Sequence, residues 1–203
     1  MATTYSELRA EITTYLSRGT DLDSLRDQFI DSAEAFFNRK LRVRQMEEEA
    51  SLSTDENGDA NLPSDFLAAR SVRRVGSPNI ELKPISMGGE NRLSPYDTAG
   101  VPRWYSISGS TLRVTPIEQG TLTLTYYEAI PALSDDQTTN WLLTLAPDIY
   151  LFRCLSEAHI FDRDFDAALG FQQQADMRIA ELEAMDDHAR YHNAGIEYDG
   201  PVA

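Results

Sequence analysis

Three histidines, one cysteine and 33 acidic side chains are the reactive groups of this 203-residue chain, and their spacing decides which chemistry is open to it. His188 and His192 stand four apart, as zinc ligands on one helix face do. The glutamate of a His-Glu-x-x-His site is missing, however, and Asn193 and Gly195 follow at a fraying end. Asp162, Asp164 and Asp166 open like a calcium loop, but Ala167 takes the required glycine position and Gln173 that of the bidentate glutamate. A capped helix-helix turn is the better reading. Asp55, Asn57 and Asp59 fail the same test at Ala60 and Phe66, and turn chemistry explains them. Cys154 and His159 lie five apart in a helical pattern, a poor geometry for nucleophile and base, so a buried inert thiol is the simpler reading. Glu128 with Asp135 and Asp136 is the least poor acid-base set for a hydrolase. Neither a Gly-x-Ser-x-Gly elbow nor a Gly-rich phosphate loop is present. The pattern points away from an enzyme and calls for neither metal nor cofactor.

The balance of charge says more. A formal charge of −15 argues against a surface that grips phosphates, because non-specific nucleic-acid affinity comes mainly from Lys and Arg. It suits a surface that DNA passes without sticking, and it also serves solubility. A hydrophobic content of 41% is ordinary for a folded soluble protein, and the length suits one domain or a helical unit carrying a smaller β section. The N-terminal residues lack a basic region followed by an apolar core, and no apolar run reaches the roughly 20 residues of a membrane span. The expectation is a cytosolic product without a targeting signal.

Periodicity supplies the elements that must position these groups. Thr4 and Glu7 have capping-box form ahead of Tyr5, Leu8, Ile12, Tyr15 and Leu16, predicting a helix from about Thr4 to Ser17. Asp21 to Ser24 supply capping oxygens for a second, with Leu25, Phe29, Ile30, Ala33, Phe36, Phe37 and Leu41 on its apolar face. That helix starts acidic and ends with Arg39, Lys40, Arg42 and Arg44, which complements its dipole. Short strands follow: Glu48 to Thr54, an Asn57-Gly58 hairpin signal, Val72 to Val75, Ile80 to Ile85, Trp104 to Ile107, Thr111 to Val114 and Thr121 to Tyr127. Ser108-Gly109-Ser110 joins one pair tightly, and Ser86 to Pro102 reads as an exposed excursion. Pro147 opens a helix ending near Phe161, and a last helix carries Phe165, Ala168, Leu169, Gln172, Ala175, Ile179, Leu182 and Met185 on its face.

The predicted fold is therefore α+β: a helical bundle of about four helices with an inserted small antiparallel β subdomain and an extended C-terminal arm. Residues 1–46 and 147–190 form the helical domain, 47–146 the β subdomain and its connection, and 191–203 the arm.

Five segments in fixed order carry a resemblance. They are Leu25 to Glu47 (with Phe29-Ile30, Ala33-Glu34 and Asn38-Arg39), Leu62 to Leu67 with Arg70-Ser71-Val72, Tyr126-Tyr127 with Ile130-Pro131 and Leu133-Ser134-Asp135, Asn140 to Leu143, and Pro147 to Tyr150. Over roughly Tyr5 to Ala180 the chain resembles the head-tail adaptors of tailed bacteriophages of the podovirus type. That resemblance implies a virion structural protein. About twelve copies would ring the underside of the portal, extend the DNA channel, help retain the genome and dock the tail or nozzle. Double-stranded DNA would pass without specific binding, helices would form the ring wall, and the β subdomain would face tail components. Another neck or tail-tube protein is the alternative. Subunit and portal contacts are expected at the basic cluster Arg39, Lys40, Arg42 and Arg44, the acidic groups Asp162, Asp164, Asp166, Asp186 and Asp187, and the arm residues Tyr191, Ile196 and Tyr198.

Overall fold

The computed structural model describes residues 2–16, 23–77, 79–86 and 99–191. They form helices α1 (Tyr5–Leu16), α2 (Asp23–Lys40), α3 (Trp141–Leu145), α4 (Pro147–Phe161) and α5 (Phe165–Tyr191), with a 3-10 turn at Arg44–Met46. The strands are β1 (Glu47–Ser53), β2 (Asp59–Asn61), β3 (Phe66–Arg74), β4 (Ile80–Pro84), β5 (Trp104–Ser108), β6 (Thr111–Thr115) and β7 (Thr121–Glu128). The chain divides into two compact units, Met1–Val43 with Ile130–Ala203, and Arg44–Ala129.

The class is α+β, but the β unit is larger than a small antiparallel insert. All seven strands join one sheet in the order β1-β7-β3-β4-β5-β6-β2, and β4 and β5 run parallel. A parallel pair needs a long crossover, which is what the connection between Pro84 and Trp104 provides. The tight Ser108 to Ser110 turn does join an antiparallel hairpin, with Gly109 at φ 59°. Asn57-Gly58 is different. Asp55 Oδ1 accepts the Asn57 and Asp59 amides at 2.9 Å each and Gly58 sits at φ 75°, yet the flanking strands do not pair with each other. β1 pairs with β7 and β2 with β6, so strands at opposite ends of the sheet order are joined by one short turn. The sheet must curl until its two ends meet there, approaching a barrel. Inside lie Leu52, Ala60, Val72, Leu82, Tyr105, Leu112, Val114, Leu122, Leu124 and Tyr126, supplied by the two-residue alternation of their strands.

In the helical unit, Thr4 Oγ1 accepts the Glu7 amide at 3.3 Å, while the Glu7 carboxylate reaches back to Thr3, at 2.8 Å from both N and Oγ1. These bonds hold the Glu7 carboxyl below its usual range. The caps expected at Asp21 to Ser24 lie outside the described side chains. Pro147 opens α4, and α5 packs against it through Ala168, Ala175, Ile179 and Leu182. The buried stripe of α5 is narrower than predicted: Phe165, Leu169 and Met185 are exposed, as is Tyr15 on α1.

Candidate functional site

The segments that carried the family resemblance meet one another in space. In the helical unit, the irregular connection from Ile130 to Asn140 lies on α2 and α4, and its backbone has no ladder to bond to. Side chains replace the ladder. Asn38 Oδ1 accepts the Ile130 amide at 2.8 Å, and Glu34 Oε1 accepts the Leu133 amide at 2.9 Å and the Tyr150 hydroxyl at 3.2 Å. Asn140 donates through Nδ2 to Pro131 O and to Tyr150 Oη, both at 2.8 Å, and its Oδ1 caps α3 by accepting the Leu143 amide at 2.9 Å. Tyr150 is fully buried and meets the Phe37 ring edge to face at 5.0 Å. Burial pushes the Glu34 carboxyl up to about 7, opposed by its bonds to Leu133 and Tyr150, and pushes the Tyr150 hydroxyl up as well. In the β unit, Tyr126 donates to Asp65 at 3.1 Å and stacks on Phe66, while the Ala129 amide donates to Asp65 O at 2.7 Å. The shared strings thus shape the molecule rather than line a pocket.

The reactive groups singled out by spacing do not converge. Among the described residues no set of three or more His, Cys, Asp or Glu is placed to hold a metal, and His192 lies outside those residues. Cys154 is fully buried and its thiol is pushed up by that burial, while the His159 ring stacks on Phe171 at 5.3 Å. Glu128 ends β7, whereas Asp135 belongs to the connection in the other unit, with an Arg9 guanidinium 3.9 Å away.

The predicted interface residues fare unevenly. Lys40 Nζ is bound to Asp176 at 2.7 Å, and Arg42 folds back on the α2 C-terminus, donating to Asn38 O at 2.9 Å and to Leu41 O. Arg39 and Arg44 are exposed. Asp162 and Asp164 build the α4–α5 turn, in which Arg163 takes φ 62° and Asp164 Oδ1 accepts the Ala167 amide at 3.2 Å. Asp186 is buried against Arg190 at 2.6 Å, so it is not a surface group, while Asp187 is exposed. Tyr191 ends α5, and Ile196 and Tyr198 lie outside the described residues.

Spacing missed two exposed features. Phe161, Phe165 and Leu169 are 55%, 65% and 54% exposed around the α4–α5 turn. On the β unit, Arg73 on β3 stands opposite Glu81 on β4, Lys83 opposite Trp104 on β5, and the Lys83 amide donates to Arg103 O at 2.9 Å. A groove of about 360 Å³ lies between Ile80, Glu81, Lys83, Arg103 and Trp104. The alternation Glu81, Lys83 on an outward strand face was the available signal.

A family model described as SU10 adaptor protein matches residues 3–197, nearly the whole chain, and the chain belongs to that family of phage adaptors. No curated protein matches it. No described helix is long and apolar enough to cross a membrane.

Proposed function

We propose that this adaptor is a virion structural protein of the phage neck: copies ring the underside of the portal, continue its channel, help retain packaged DNA and give the tail its docking surface. The family match over residues 3–197 carries this reading. The charge of −15 supports it, since an acidic chain repeated around a channel repels phosphate and lets DNA slide. The helical unit would supply the ring wall and the β unit a platform for the tail. Virus-encoded portal and tail or nozzle proteins are the partners, and the podovirus type of neck is the form favoured by the shared segments.

Native mass spectrometry or mass photometry of the chain, alone and mixed with the portal of its own virus, tests the proposal. The expected result is a portal gaining about twelve chains, with the free chain a monomer or weak oligomer. A chain that ignores portal and stacks into tubes would instead be a tail-tube protein.

A further inference from the structure

Many cations among the described residues are held in ion pairs. Arg9 pairs with Asp27, Lys40 with Asp176, Arg70 with Glu47, Arg74 with Glu118, Arg113 with Asp59, Arg153 with Glu157, Arg178 with Asp148 and Arg190 with Asp186. Arg73, Lys83 and Arg103 make no ion pair among the described residues, and all three are exposed. The β3–β4 and β4–β5 pairings bring them together at the middle of the sheet order, beside the groove that Trp104 helps to line, a local excess of positive charge on a chain of charge −15. The α4–α5 turn is its complement. Phe161, Phe165 and Leu169 project there among Asp162, Asp164 and Asp166, which outnumber the one cation of the turn, Arg163, and no ion pair occupies Asp166. An apolar knob with an acidic rim and an apolar groove with a basic rim are the two halves of a heterologous contact, the type that closes copies into a ring.

We propose that the groove at Lys83, Arg103 and Trp104 receives the Phe161–Leu169 turn of a neighbouring copy, with Phe165 seated on the groove and Asp164 and Asp166 facing Lys83 and Arg103. This rests on the ring reading above and names its contact. A duplex is the poorer occupant: Glu81 lies within the groove, and phosphates favour an unbroken run of cations.

Zero-length carbodiimide cross-linking of a mixture of unlabelled and ¹⁵N-labelled chain on portal reads the contact directly, because the chain has only two lysines, Lys40 and Lys83. The expected product is a mixed-isotope pair joining Lys83 to Asp164 or Asp166. The K83E/R103E chain and the D166K chain should each need about tenfold more protein to fill the portal. The chain carrying all three changes should recover most of the loss, with circular dichroism unchanged throughout. A ring that assembles normally with K83E/R103E, or Lys83 links only to portal or within one chain, overturns the contact while leaving the ring reading intact. Salt-sensitive duplex binding lost in K83E/R103E overturns it in favour of DNA. No ring of unmodified chain on portal overturns the function itself.

Discussion

The two units solve the same problem, satisfying buried backbone, by opposite means. In the β unit the ladder does it: every strand finds a partner, the core is almost wholly apolar, and charged pairs such as Arg74–Glu118 and Arg113–Asp59 stay at the surface. In the helical unit an irregular connection crosses two helices, and three polar side chains, Glu34, Asn38 and Asn140, are drawn inward to hold it. The contrast shows where polar residues belong in an interior. They appear where the backbone is irregular, because an unmet amide or carbonyl costs more than burying a side chain that meets it.

Substitutions can break or sharpen that contrast, read separately for each unit by native-state hydrogen exchange. Leu124→Ala should cost most, about 3–4 kcal/mol, because it opens a cavity in the centre of the sheet. Protection should fall in β1, β3 and β7 first; loss spread evenly over both units would mean that they unfold as one. Asn140→Ala removes the α3 cap and two buried donations together, and should cost about 2–3 kcal/mol, concentrated in the helical unit. A cost no greater than a surface change would show that the connection is held by packing alone.

Glu34 gives a pH signature that the β unit should lack. Its folded carboxyl lies near 7 against an ordinary 4.5, so the native state holds the extra proton between those values. Stability should fall as pH rises through that window and level off above it, since the unfolded chain binds fewer protons there. Tyr150 and Asp31 are the other titratable groups acting on Glu34, and Glu34 in turn raises Cys154. Glu34→Gln keeps an acceptor for Leu133 and should flatten the profile, with a gain on the order of 1–2 kcal/mol at pH 8. An unchanged slope in urea titrations between pH 4.5 and 7 would show that Glu34 is not the group responsible. Asp59→Ala, which breaks only the exposed pair with Arg113, should cost under about 1 kcal/mol and vanish in high salt.

Local chemistry was legible in the residues. Pro147 at the start of α4, the Gly109 turn and the Leu122, Leu124, Tyr126 alternation need only near neighbours to be understood. What failed depends on distant ones. Asn57-Gly58 reads as a hairpin until β7 and β6 claim the flanking strands, and Glu34 reads as solvated until the connection returns to cover it. The basic end of α2 reads as an open patch, yet Asp176 takes Lys40 and helix carbonyls take Arg42, while Arg73, Lys83 and Arg103, scattered over three segments of sequence, are brought together only by the pairing of β3, β4 and β5. The exposed Phe165 and Leu169 share a helical period with the core stripe, and period alone does not set how wide that stripe is.

The curl of the sheet has a consequence for crowding. A flat sheet of seven strands would leave two bare rows of amides and carbonyls, each able to template another molecule, and a protein gathered at many copies in one place would risk growing into fibres. Here the ends of the sheet order are brought to one corner by the Asp55–Gly58 turn. What remains of either margin is guarded: β2 is three residues long, and β1 begins Glu47-Glu48-Glu49. Copies can therefore be packed side by side while their strands stay private to each molecule.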